Sequence, residues 1–162
     1  MKNMYSLPFI LLLLLPSISY AQVEVYDFER FKPLLHVNND TTYVINFWAT
    51  WCVPCIKELP DYEKIHSEYK DDTFKMLLVS LDFRRNLEDR LIPFIAKNDL
   101  QAKVIMLHEP DANAWIPQVD PHWSGAIPAT LIYNRSKDFK SFHEGSYTYD
   151  ELNSIIKPLI KK

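Results

Sequence analysis

The chain has 162 residues, with 18 lysines and arginines against 21 aspartates and glutamates and a formal net charge of −3. An acidic balance without a basic cluster argues against a nucleic-acid partner. Only two glycines beside a 14% aromatic share argue against a disordered or repeat protein and for a well-packed globule.

The N-terminus reads as a leader. Lys2 supplies positive charge, Leu7 to Leu15 is an apolar run broken only by Pro8, and Ser19 and Ala21 occupy the small-residue positions of a cleavage site. The run is far shorter than the roughly 20 residues that span a bilayer. Residues 1–21 are therefore expected to be a cleaved signal peptide, and an uncleaved anchor is the competing reading. Residues 22–162 are then one domain, long enough to bury its own core. The leader carries Lys2 and no acid, so the remainder holds 17 basic and 21 acidic residues, a net charge of −4.

Further along, "DFERFKPLLHVN" has the pattern of an early helix, and Thr42 to Trp48, "TYVINFW", that of a strand buried on both faces. "CIKELPDYEKIHSEYK" then shifts to helical spacing, placing Ile56, Leu59, Tyr62 or Glu63, and Ile65-His66 on one side. Pro54 suits the first turn of that helix, where N–H groups are unused, and Pro60 lies in its interior and is expected to kink it. Phe74 to Asp82 is a second buried strand, "NLEDRLIPFIAKND" a second helix, and Lys103 to Glu109 a short third strand. Ala129–Asn134 and Asp138–Gly145 read as an antiparallel hairpin, and "TYDELNSIIKPLIKK" as a closing helix capped by Thr148 or Ser146. This order is an α/β sandwich with a mixed central sheet flanked by helices.

Cys52 and Cys55 are the only cysteines. Exported proteins meet oxidising conditions, but bridging cysteines three positions apart closes a tiny loop and removes little unfolded-state entropy. A zinc site needs further ligands at matching spacing, and His36, His66, His108, His122 and His143 are scattered singly. No metal site is expected. A redox pair at a strand-to-helix turn is the reading left.

"FWATWCVPC", its following helix and the later "GAIPATLIY" resemble the thioredoxin fold, and within it the exported TlpA/ResA-like thiol–disulfide oxidoreductases. The resemblance covers nearly the whole chain after the leader. It implies a cis peptide bond before Pro128, lying against the cysteine pair, with the Ile127 backbone free to pair with an extended substrate. It implies Trp51, Pro54 and Ile127 as substrate contacts, with Trp51 shielding the thiolate and Trp48 packed beneath the site. In thioredoxins a buried aspartate stands where this chain has Asn46, which does not titrate. ResA-like proteins carry a glutamate at the offset of Glu58, implicated in the proton traffic of the cysteines. Against these stand plainer readings: Asn46 satisfying a strand-end hydrogen bond, and Glu58 exposed and paired with Lys57 or Lys64.

The thiolate is the attacking form of cysteine. The helix N-terminus favours an anion at Cys52, which makes Cys52 the nucleophile and Cys55, one turn inside, the resolver. The connection Glu109–Ala126 is too long to be simple. It leads to Pro128, so Trp115 and Trp123 are expected either to wall a substrate groove or to fill the core.

The reading is an exported, extracytoplasmic thiol–disulfide oxidoreductase that reduces protein disulfides through a redox-active Cys52–Cys55 disulfide. No other cofactor is expected. The resemblance extends the reading to cytochrome c maturation and to a membrane electron donor. Its rivals are a disulfide oxidase or isomerase on the same fold, a Cu(I) metallochaperone using both thiolates, and a binding module with a vestigial pair.

Overall fold

A computed structural model describes residues 23–70 and 73–160, so the leader expected at residues 1–21 lies outside the described residues. The elements are β1 (Glu24–Tyr26), α1 (Phe28–Phe31), β2 (Thr42–Trp48), α2 (Val53–Tyr69), β3 (Phe74–Ser80), α3 (Ile92–Lys97), β4 (Lys103–Leu107), α4 (Ala112–Val119), β5 (Ala129–Asn134), β6 (Phe139–Glu144) and α5 (Tyr149–Ile156). The strands form one sheet in the order β1-β4-β3-β2-β5-β6. The first four of these run parallel, while β5 is antiparallel to β2 and β6 to β5. This is the mixed, helix-flanked sheet of a thioredoxin-like fold.

Period-two alternation on the central strands divides the core into two layers. From β2, Val44 and Trp48 pack with Leu59, Tyr62 and Ile65 of α2 and with Leu152 and Ile156 of α5. Ile45 and Phe47 point the other way, into Phe31, Trp115, Val119 and Trp123. α2 and α5 thus cover one face, and α1 and α4 the other.

Several boundaries follow local chemistry. The early helix is α1 alone, capped by Asp27 Oδ1 on Arg30 N at 2.8 Å. It continues as a 3-10 turn over Lys32–Leu35 with Pro33 near its start. The second helix opens with a wide turn, Leu87–Leu91, in which Ile92 N–H bonds Leu87 O. α2 runs through Pro60 without a break. Thr148, not Ser146, caps α5, in a reciprocal capping box with Glu151.

Two elements have no counterpart in the sequence reading. β1 is three residues long and pairs the sheet edge at β4. α4 forms inside the Glu109–Ala126 connection, capped by Asp111 on Ala114 N at 3.2 Å. Among the described residues, no helix is long and apolar enough to cross a membrane.

Candidate functional site

β2 ends at Trp48 and the chain turns through residues 49–51 to Cys52, which caps α2 from an extended conformation. Cys52 N donates to Ala49 O at 3.1 Å, tightening the turn, and Cys52 O accepts Ile56 N at 3.1 Å, starting the helix. Pro54 falls in the first turn, where its missing N–H costs nothing. Cys52 Sγ accepts a hydrogen bond from Cys55 N at 3.3 Å. A sulfur in this position takes the place of a capping oxygen and meets the positive end of the helix dipole. The two sulfurs are joined in a disulfide. Cys52 is 5% exposed and Cys55 fully buried.

The second wall is the segment before β5. The Ile127–Pro128 peptide bond is cis, and Ile127 O lies 3.6 Å from Cys52 Sγ. Proline has no N–H, so at this point the segment presents only carbonyl oxygens to the sulfur. Pro128 O accepts Gly145 N at 2.8 Å, which ties the segment to the loop between β6 and α5. Gly145 adopts φ 137, a region closed to side-chain-bearing residues, and an added Cβ would stand 2.9 Å from the His143 ring.

Glu58 sits on the inner face of α2 and is 3% exposed, which overturns the exposed reading. Its partners are not Lys57 or Lys64. Asn46 Nδ2 donates to Oε1 at 2.8 Å and Tyr147 N to Oε2 at 3.0 Å. Burial pushes the Glu58 carboxyl up to about 7 and the neighbouring Asp61 charge adds to this, against the hydrogen bonds from Asn46, Tyr147 and Ser146. Asn46 is likewise fully buried and makes no strand-end bond; its amide bridges Glu58 and Thr130 Oγ1, 3.1 Å away.

Three further placements matter. Trp51 is half exposed, and with Val53 and Phe83 it makes up the exposed large apolar side chains among the described residues. Trp48 is fully buried against Phe94, with ring centroids 5.4 Å apart. Trp115 and Trp123 pack edge to face at 5.4 Å, and both contact Phe47 on the sheet face opposite α2. They fill the core and do not wall a groove.

Sequence reasoning missed Asp82. Its buried carboxylate takes Thr50 N at 3.0 Å, Thr50 Oγ1 at 2.6 Å and Ser80 Oγ at 2.8 Å. It clamps the cysteine turn to the end of β3. The available signal was an aspartate closing an apolar strand that runs parallel to the motif-bearing one.

Residues 23–138 match the AhpC/TSA family. The thiol–disulfide oxidoreductase ResA of Oceanobacillus iheyensis is 29% identical over 116 residues, which is 72% of this chain and 56% of that protein. The sporulation thiol–disulfide oxidoreductase A of Bacillus subtilis is 28% identical over 115 residues, 71% of this chain and 66% of that protein. The chain thus spans a little over half of the first relative's length. The crystal structure of StoA from Bacillus subtilis superposes with a TM-score of 0.55 at 22% identity, covering 72% of this chain and 83% of that one.

Proposed function

This chain belongs to the AhpC/TSA family, and we propose that it is an exported thiol–disulfide oxidoreductase that reduces protein disulfides. The observation that carries the reading is Cys52 Sγ at the N-terminus of α2, accepting the Cys55 N–H beside the segment that leads to Pro128. The N–H and the positive end of the helix stabilise a thiolate at Cys52 in the reduced protein.

The cycle uses both sulfurs. Cys52 thiolate attacks one sulfur of the substrate disulfide and expels the other as a thiolate, leaving a mixed disulfide. Cys55, losing its proton, attacks Cys52 Sγ, re-forms the Cys52–Cys55 disulfide and releases the second substrate thiol. Two electrons have passed to the substrate, and a dithiol donor returns them. Glu58, with a carboxyl that titrates near neutrality, is the acid–base group for these protons. Trp51 and Val53, exposed on either side of Cys52 in the chain, offer apolar surface suited to a protein chain. Pro54 and the Ile127 backbone line the same contact.

The leader pattern at residues 1–21 supports export. The likeness to relatives named thiol–disulfide oxidoreductase supports disulfide exchange, and we take reduction as the direction, haem-binding C-x-x-C-H segments as clients and a membrane protein as electron donor. Equilibration with glutathione tests the direction. A reduction potential near about −270 mV agrees with a reductase, and one above about −180 mV makes the protein an oxidase or isomerase.

A further inference from the structure

Behind Glu58 lies a chain of buried polar groups that the disulfide chemistry leaves unused. Asn46, Tyr62 and Thr130 are each fully buried. Thr130 faces Asn46 across the β2–β5 pair, directly in register, so their side chains share the sheet face covered by α2. Asn46 Nδ2 donates both to Glu58 Oε1 at 2.8 Å and to Thr130 Oγ1 at 3.1 Å. Thr130 Oγ1 in turn lies 2.7 Å from Tyr62 OH. Asn46 Oδ1 has no hydrogen-bond partner among the described residues. A buried acceptor left unpaired is costly, so something must hold the amide with its NH2 group toward Glu58.

We propose that Tyr62 and Thr130 are positioning residues for Glu58 and act through Asn46. The inference rests on the reading of Glu58 as the acid–base group. Either hydroxyl can donate in the Thr130–Tyr62 bond; we take Thr130 as the donor, which leaves its lone pairs facing Asn46 Nδ2. The amide then gives one N–H to Thr130 and the other to the Glu58 carboxylate. Without the Tyr62 hydroxyl, the Thr130 hydrogen is free to seek Asn46 Oδ1. The amide turns, and a carbonyl oxygen replaces a donor beside the carboxylate. Donation to a carboxylate favours its charged form, so losing it moves Glu58 titration to higher pH.

Other polar and charged groups lie on the elements packed around Glu58. α2 contributes Asp61 and Tyr62, and the β6–α5 loop contributes Ser146 and the Tyr147 N–H, with the Tyr147 phenol acting on Tyr62. β6 places His143 against the Tyr147 ring, with centroids 4.5 Å apart. Glu151 of α5 is engaged by Thr148, and Asp150 beside it is exposed. The remaining neighbour is the cysteine pair, which does not titrate as the disulfide.

The test uses the full chain in its disulfide form, with the Glu58 carboxyl carbon followed by NMR from pH 4 to 9. The midpoint in Thr130→Val and in Tyr62→Phe is expected about half a unit above that of the native chain. Thr130→Ser, which keeps the hydroxyl, is expected to restore the native midpoint. Alongside, the pH profile of oxidised-glutathione reduction by the dithiol form is measured for the native chain, both variants and Glu58→Gln. Parallel alkaline shifts in the midpoint and the profile support the inference. Native or lowered midpoints in both variants overturn it, while an altered Glu58→Gln profile leaves the acid–base reading standing. A Glu58→Gln profile that superposes on the native one overturns that reading and the inference with it.

Discussion

Asn46 on β2 and Glu58 on α2 meet through a 2.8 Å hydrogen bond in the core, one turn of helix below the cysteine pair. The amide stands where a thioredoxin has its buried carboxylate, and the carboxylate has moved to the facing helix. The site therefore keeps a buried acid beside that amide, held on the helix in place of the strand.

The first prediction concerns stability and pH. The Glu58 carboxyl is raised from 4.5 to about 7 in the folded protein, so the native state binds a proton that the unfolded chain releases. Stability from this group is complete below about pH 4.5 and is lost as pH rises through about 7. A shift of this size corresponds to about 3 kcal/mol. Urea unfolding at pH 5 and pH 8 should show the native chain losing more stability over that interval than Glu58→Gln does.

Asn46→Asp places a second carboxylate against the first. Two such groups in one buried site share a proton, and driving it off at alkaline pH leaves two like charges side by side. The variant is expected to lose about 3 kcal/mol or more of stability at pH 8, and less at pH 5. Equal losses at the two pH values would contradict this.

How far these features could be read from sequence depended on their range. The run at Thr42–Trp48 and the hairpin flanking Arg135–Lys137 were legible because period-two patterning and turn residues are local signals. Cys52 and Cys55 were legible by spacing. The short edge strand β1 was not, because three residues carry no periodicity and pairing with β4 alone defines it. α4 was hidden by Pro117 near its end and by flanking turn residues. Trp115 and Trp123 could not be assigned from composition, since a tryptophan near a site and one in a core look alike until the sheet face is known. Asp82 and Thr130 were missed for the same reason. Their roles depend on partners at Thr50 and Tyr62 that only the fold brings near.

Asp82→Ala removes the acceptor for Thr50 N and for two hydroxyls, leaving the buried Ser80 hydroxyl and the half-buried Thr50 donors without it. A stability loss of about 2–3 kcal/mol is expected. The rate of oxidised-glutathione reduction should fall as well, because the cysteine turn is no longer held to β3. Thermal unfolding and stopped-flow rates measure the two effects separately.

Trp115→Ala should divide the other way. The ring is buried among Phe28, Phe47 and Trp123, so truncation is expected to cost about 3–5 kcal/mol. Exchange kinetics at temperatures where the variant stays folded should match the native chain. A changed rate with unchanged stability would return Trp115 to the substrate groove.

The central claim, that Cys52 attacks and Cys55 resolves, is tested most directly by trapping. The full chain, residues 1–162, is produced as Cys55→Ser and as Cys52→Ser, and disulfide-linked adducts are resolved on non-reducing gels. Removing only the resolver stalls the cycle at the mixed disulfide, so Cys55→Ser is expected to accumulate adducts with exported proteins. Cys52→Ser should form few, since Cys55 is fully buried and lies inside the helix. Adducts in Cys55→Ser that are absent or no more abundant than in Cys52→Ser would contradict the account.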